Sequence, residues 1–204
     1  MNLDLPLFIL FEGIDGSGKS TQAKLLHRYC EEKHIPAVLL QEPTDGPWGK
    51  KIREMLNGRF QADVDGQLEL FILDRGYDVN TNIIPSLDKG MLVILDRYYY
   101  STAAYQGGDE YSPMQIVDMN LEKGFPVPDR VYLIDIDPDT ALCRVGARNP
   151  GREEIFEKKQ FLEKVRENYL QLADERFLVL DGTLTEDELF TSILDDLEQV
   201  TGSI

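Results

Sequence analysis

The sequence predicts an α/β protein: a five-stranded parallel sheet with helices on both faces. Three observations predict it. Five short apolar runs are spaced along the chain, amphipathic stretches lie between them, and no repeat, low-complexity tract or linker divides the 204 residues. Strand–helix–strand alternation of this kind closes through right-handed crossovers onto a parallel sheet. The strands are expected at Leu7–Glu12, Ala37–Gln41, Met91–Asp96, Val131–Asp135 and Phe177–Leu180. Each is a short apolar run, most carry β-branched or aromatic residues, and several adjoin Pro, Gly or Asp, as buried parallel strands do. Helices are expected over about 18–33, 47–57, 67–88, 113–123, 137–147, 153–175 and 185–199. In the long late segment Ile155, Phe156, Leu162, Val165, Tyr169 and Leu172 recur at helical spacing among charges. The length suits one domain, 1–204.

Composition narrows the role. With 42% hydrophobic and 28% charged residues the chain is globular rather than disordered. Its 21 basic and 37 acidic residues leave a net charge of −16, which repels phosphate backbones and anionic lipid. A small anionic ligand must therefore be held by a local cluster of donors. The first apolar run, Leu7 to Phe11, is too short to span a bilayer and has no secretory signal around it. Cys30 and Cys143 form no metal-binding pattern with His27 or His34; both are expected as buried free thiols in a reducing compartment, the cytoplasm by default.

The strongest signal is the first loop. Gly13-Ile14-Asp15-Gly16-Ser17-Gly18-Lys19-Ser20, followed by Thr21, fits Gly-x4-Gly-Lys-[Ser/Thr] between a strand and a helix. The glycines allow backbone N–H groups to ring an anion, and the helix beginning near Gly18 directs its positive end there. Lys19 adds a point charge for the β/γ-phosphates, and the Ser20 hydroxyl suits Mg²⁺. This is a P-loop. No Asn-Lys or Thr-Lys dipeptide occurs, so the guanine-reading motif of GTP switches is absent. The third strand ends in Asp96-Arg97-Tyr98, at the sheet edge where ligands sit in open α/β folds. Asp96 suits Mg²⁺ or its water, and Arg97 suits a second phosphate.

Glu12 to Thr21, then Glu42-Pro43, Phe71-x-x-x-Arg75, Asp96-Arg97-Tyr98 and Ser101-x-x-Ala104-Tyr105-Gln106-Gly107 together resemble the thymidylate kinase family, in order and spacing, from residue 7 to about residue 175. The resemblance implies the P-loop nucleoside-monophosphate-kinase fold, with Mg²⁺, ATP as donor and dTMP as acceptor. It implies that Asp15 lies near the acceptor's sugar and phosphate and that Phe71 stacks on the base. Arg75 would reach the base's exocyclic oxygen, Arg97 clamp the acceptor phosphate, and Tyr105 press on the sugar's 2′ carbon. Gln106 would read the base edge and Arg144 flank the donor adenine. An aromatic four residues before an arginine does place both on one helix face. It also suggests a twofold homodimer.

Arg144, Arg148 and Arg152 surround Asn149-Pro150-Gly151, which reads as a lid over about 144–156. Some family members carry a catalytic arginine in the P-loop and others in the lid; Gly16 here points to the lid, to Arg152 before Arg148. The chain departs from the common bacterial pattern at Gln41, over Thr44–Gly49 and at Gly76-Tyr77-Asp78, and Arg53 is a candidate to reach the acceptor phosphate. Two alternatives remain at this point: a kinase for another nucleotide or a nucleoside, and a non-catalytic ATP-binding module. Nucleoside kinases tend to show Glu-Arg-Ser where this chain has Asp96-Arg97-Tyr98, which favours a phosphorylated acceptor.

Overall fold

The strands pair in the order β2-β3-β1-β4-β5, all parallel, in a computed structural model that describes residues 5–146 and 152–201, with side chains 158–200 in the second stretch. They span Leu7–Glu12 (β1), Ala37–Gln41 (β2), Leu92–Asp96 (β3), Arg130–Asp135 (β4) and Phe177–Asp181 (β5), within a residue of the expected bounds. The helices are α1 (Lys19–Glu32), α2 (Pro47–Leu56), α3 (Val64–Asp78), α4 (Ile84–Leu87), α5 (Tyr99–Gln106), α6 (Pro113–Glu122), α7 (Pro138–Val145), α8 (Arg152–Leu172) and α9 (Glu186–Thr201).

Strand alternation sorts the core into two layers. On one face Phe8, Leu10, Val93, Leu95, Val131 and Leu133 pack against residues of α5, α6 and α8, including Tyr99, Ile116, Val165 and Tyr169. On the other, Ile9, Phe11, Ile94, Tyr132 and Ile134 meet Ala23, Leu26 and Cys30 of α1 and Leu189, Ile193 and Leu197 of α9. A smaller cluster, Ile52, Met55 and Leu70, joins α2 to α3. Local signals start the helices: Asp63 accepts from the Gly66 amide, Asp137 from the Thr140 amide, and Ser112 with Gln115 forms a capping box.

Three expectations need correction. The helix expected over 67–88 is three pieces, α3, a π-helical turn at Val79–Ile83, and α4. Pro85 has no N–H, and its ring crowds the carbonyl four residues back. The turn widens ahead of it, and side chains add bonds to carbonyls at its start: Asn80 Nδ2 donates to Gly76 O at 2.6 Å and Thr81 Oγ1 to Tyr77 O at 2.7 Å. Helix α5 was not expected, because Tyr99 to Ala104 are all buried and no polar face marks a helical period. Cys30 is a buried free thiol as expected, but Cys143 is exposed on α7.

The layering generates a contrast. Ile94, fully buried on interior strand β3, should cost about 2–5 kcal/mol when changed to alanine. Val179, 45% exposed on edge strand β5, should change stability by less than about 1 kcal/mol. Urea unfolding of the two variants checks this; equal losses would place the core elsewhere.

Candidate active site

Strands β1 and β3 are neighbours, with Phe11 level with Asp96. That register sets the loop after β1 beside Asp96-Arg97 at the carboxyl edge of the sheet. The loop needs glycine at two points. A Cβ on Gly13 would lie 2.5 Å from the Ile134 carbonyl oxygen, and one on Gly16 2.6 Å from that of Ala141; both backbones have positive φ. Gly18 opens α1 and is followed by buried Lys19, half-buried Ser20 and exposed Thr21. The Ser17 hydroxyl is buried with no partner.

Lys19 Nζ is 3.5 Å from both the Ile14 carbonyl and Asp15 Oδ1. Burial, then the charge of Arg97, pulls this ammonium down to about 8, against the opposing attraction of Asp15, Asp96 and Glu12. Ser20 Oγ donates to Asp96 Oδ2, while Asp96 Oδ1 is buried with no partner. A hydroxyl and a carboxylate with an unused oxygen are hard donors side by side, and they fit Mg²⁺.

Beyond the loop lies a cavity of about 260 Å³ lined by Asp15, Phe71, Arg97, Tyr105 and Gln106, with Pro43, Leu56, Ser101 and Thr102. Five residues from four separate stretches of the sequence thus meet. Arg97 donates from Nη1 to Ser101 Oγ at 2.9 Å and from Nη2 to Asp15, and its guanidinium stands 5.3 Å from the Tyr105 ring centre. Partial burial alone would raise the Asp15 carboxyl, but Arg97 and Lys19 hold it below its ordinary value. Phe71 is half-buried, resting on the α2–α3 cluster with the rest of its surface toward the cavity. Gln106 Nε2 reaches Gln67 Oε1 at 3.4 Å, and its own Oε1 is buried with no partner.

Two arginines stand elsewhere than expected. Arg75 is 1% exposed and does not line the cavity. It donates to Glu42 Oε2 and Asn120 Oδ1, each at 2.6 Å, and to Thr102 Oγ1 at 3.1 Å, and its guanidinium lies 5.0 Å from the Tyr98 ring centre. It therefore supports the cavity from behind Thr102. The cause is Glu42, whose buried carboxylate needs a cation: burial pushes it up and Arg75 opposes that. Arg53 donates to the Pro43 and Thr44 carbonyls at 2.8 and 2.7 Å and lines an adjoining cavity of about 430 Å³, which shares Pro43 with the first and is lined also by Ser20 and Asp96. Arg144 Nη1 lies 3.4 Å from the Gly16 carbonyl, against the P-loop. Arg148 and the Arg152 side chain fall outside the described residues. Glu12, Ser101 and Thr102 had no role assigned from sequence, though Glu12 and Ser101 belong to the quoted motifs.

Removing Glu42 tests the buried pair. Glu42→Ala should lower stability by about 3–5 kcal/mol in urea unfolding, because it leaves Arg75 buried without its carboxylate. A loss below about 1 kcal/mol would mean that Asn120 and Thr102 suffice.

Comparison with known proteins agrees with this geometry. A family model described as thymidylate kinase matches residues 11–193. A protein named thymidylate kinase from Leptospira borgpetersenii is 40% identical over 195 residues, 96% of this chain and 95% of its own length. One from Carboxydothermus hydrogenoformans is 41% identical over 200 residues, 96% and 98% of the two chains. A probable thymidylate kinase from Archaeoglobus fulgidus is 39% identical over 183 residues, 90% of each. With the P-loop, the Ser20–Asp96 pair and the adjoining cavity inside the matched span, this chain belongs to the thymidylate kinase family.

Proposed function

We infer that the protein transfers the γ-phosphoryl group of ATP to dTMP, giving ADP and dTDP for deoxynucleotide synthesis. The observation that carries this reading is the cavity joining Asp15, Phe71, Arg97, Tyr105 and Gln106 directly beyond the P-loop of a thymidylate kinase family member. The first alternative, another acceptor, meets a cavity with a single aromatic floor and a glutamine acceptor oxygen awaiting a donor such as a pyrimidine N3–H. The second, a binding module, leaves Arg97 and Tyr105 without a purpose.

The roles follow from chemistry. An oxygen of the dTMP phosphate attacks the γ-phosphorus and the bond to the β-phosphate oxygen breaks. The acceptor is already largely a dianion at neutral pH, with a second pKa of about 6, so no general base is required. The P-loop amides of Gly13, Gly16, Ser17, Gly18, Lys19, Ser20 and Thr21 hold the donor phosphates, Lys19 spreads charge over the transferring group, and Arg97 holds the acceptor phosphate. Asp15 steadies Arg97 and Lys19 on either side of the reacting centre. Ser20 and Asp96 would hold Mg²⁺, which neutralises phosphate charge when bound. Arg144 flanks the donor base. Phe71 is the stacking surface, Tyr105 excludes a ribose 2′-hydroxyl, and Arg75 and Arg53 shape the cavity and its approach rather than touching the acceptor. The lid, about 144–156 within a single domain, supplies the last cation from Arg152 or Arg148. A homodimer and a cytoplasmic location belong to the same reading on family grounds. No described helix is long and apolar enough to cross a membrane, and the charge of −16 argues against nucleic acid.

An ADP-release assay across the nucleoside monophosphates tests the function. Turnover should depend on dTMP; turnover with another monophosphate and none with dTMP would move the assignment, and ATP binding without any acceptor-dependent ADP would favour the binding module. Lys19→Ala should lower kcat by about 10²–10³-fold. Tyr105→Ala should let ribonucleotides serve, and continued exclusion of them would remove its role.

Lys19 also predicts a proton linkage. Its pKa is about 8 in the folded protein against an ordinary value of 10.5, so between these limits the unfolded chain holds more protons and this lysine's contribution to stability improves as pH rises. Polyphosphate binding pushes the pKa back up. Nucleotide should then bind with uptake of roughly half a proton near pH 8 and with falling affinity above it. Calorimetry in buffers of different ionisation heat reads the uptake, which Lys19→Met should abolish; no buffer dependence in the unsubstituted protein would refute it.

A further inference from the structure

Between the P-loop and the acceptor cavity lies a carboxylate that no step above uses. Glu12, the last residue of β1, is fully buried. Its Oε1 accepts from the backbone amides of Tyr98 at 2.9 Å and Ser101 at 3.3 Å. Its Oε2 accepts from Ser101 Oγ at 2.6 Å and from the Tyr169 hydroxyl at 3.0 Å. Those two amides open α5, whose N-cap position is held by Tyr98, a side chain that makes no capping bond. Glu12 is thus the cap of α5, supplied from another strand.

A local Ser or Thr at position 98 would cap the helix without burying a charge inside the protein. What a local cap could not do is govern Arg97. The Ser101 hydroxyl has one proton, and giving it to Glu12 turns the oxygen's lone pairs toward Arg97 Nη1 at 2.9 Å. Arg97 itself has φ of 74°, a left-handed conformation unfavourable for a non-glycine residue. Its own amide is tied to the Phe11 carbonyl at 3.1 Å, and the next amide to Glu12. Both sides of the unfavourable backbone are therefore held by the end of β1, and the side chain by the same carboxylate through Ser101. Tyr169 of α8, through its bond to Glu12 Oε2, braces this assembly from a third element.

We propose that Glu12 is a positioning residue for the acceptor phosphate: it fixes the backbone of Arg97 and, through Ser101, aims its guanidinium into the cavity. This rests on the function proposed above, in which Arg97 binds the acceptor. Because Glu12 also adjoins Gly13, a merely structural role would loosen the P-loop and weaken both substrates alike.

The test uses the full chain and reads KM for dTMP and for ATP separately, with thermal unfolding alongside. Ser101→Ala leaves the Glu12 bond to the Tyr98 amide in place and removes the hydroxyl that links Glu12 to the guanidinium and adjoins Tyr169; Glu12→Gln keeps the shape and removes the charge. Each should raise the dTMP KM about tenfold while the ATP KM moves less than about twofold. The double variant should be little worse than either single one, since both break one chain of bonds. An unchanged dTMP KM in Ser101→Ala, a parallel rise in both KM values, or additive losses in the double variant would each overturn the proposal. Ser101→Ala alone decides the matter if Glu12→Gln does not fold. Absence of dTMP-dependent turnover in the unsubstituted protein is a separate outcome, which overturns the proposed function and this inference with it.

Discussion

The parallel pairing of β1 with β3 is the constraint on which the rest of the structure depends. It sets Phe11 beside Asp96, and so places the two segments proposed to bind phosphate, Gly13–Ser20 and Asp96-Arg97, within hydrogen-bonding reach of each other. Neither segment folds usefully alone. A register shift of one residue would turn Phe8, Leu10, Val93 and Leu95 to the wrong layer, so the core itself enforces the alignment that the site requires. Packing and chemistry are therefore selected together: the alternation that divides the two hydrophobic layers is what makes the Ser20–Asp96 contact reproducible.

The site works against the charge of the whole molecule. A chain at −16 gathers Lys19 and Arg97 at one point, and each cation is met by carboxylates close at hand. Asp15 bridges both. The arrangement keeps two cations together before a phosphate is present, at the expense of Lys19, whose protonated form is disfavoured by burial and by Arg97. In the proposed reading the phosphates of a bound nucleotide would supply the counter-charge that the lysine lacks, which would couple substrate binding and cation placement electrostatically rather than by shape alone.

Most of the sheet was legible because parallel strands buried on both faces are written as continuous apolar runs; the five expected strands match the observed ones within a residue. The P-loop was legible because its spacing has one purpose. Illegible parts have specific causes. Helix α5 is buried all round, so its sequence has no amphipathic period, and it carries Tyr105, Gln106 and Ser101. The π-helical turn follows from Pro85 acting on carbonyls a turn earlier, which a periodicity count does not register. Arg75 looked like a wall of the cavity because Phe71 lies on the same helix face; its pull toward Glu42 and Asn120 depends on two residues 33 and 45 positions away. Glu12 was read only as part of a motif, since a strand-end carboxylate gives no sign in one dimension that it will meet the start of a distant helix.

The P-loop's geometry bears on where the last catalytic charge originates. At Gly16 the backbone is in a left-handed conformation, and a Cβ would lie 2.6 Å from the Ala141 carbonyl oxygen and 3.1 Å from Val145. Helix α7 closes so tightly over this glycine that no side chain fits without moving its backbone. An arginine supplied from this loop position would require α7 to stand farther away, yet α7 also carries Arg144 against the Gly16 carbonyl. Close packing of α7 on the loop and an arginine at position 16 exclude each other. That exclusion is consistent with the proposal that the remaining positive charge comes from Arg152 or Arg148, which follow α7 in sequence.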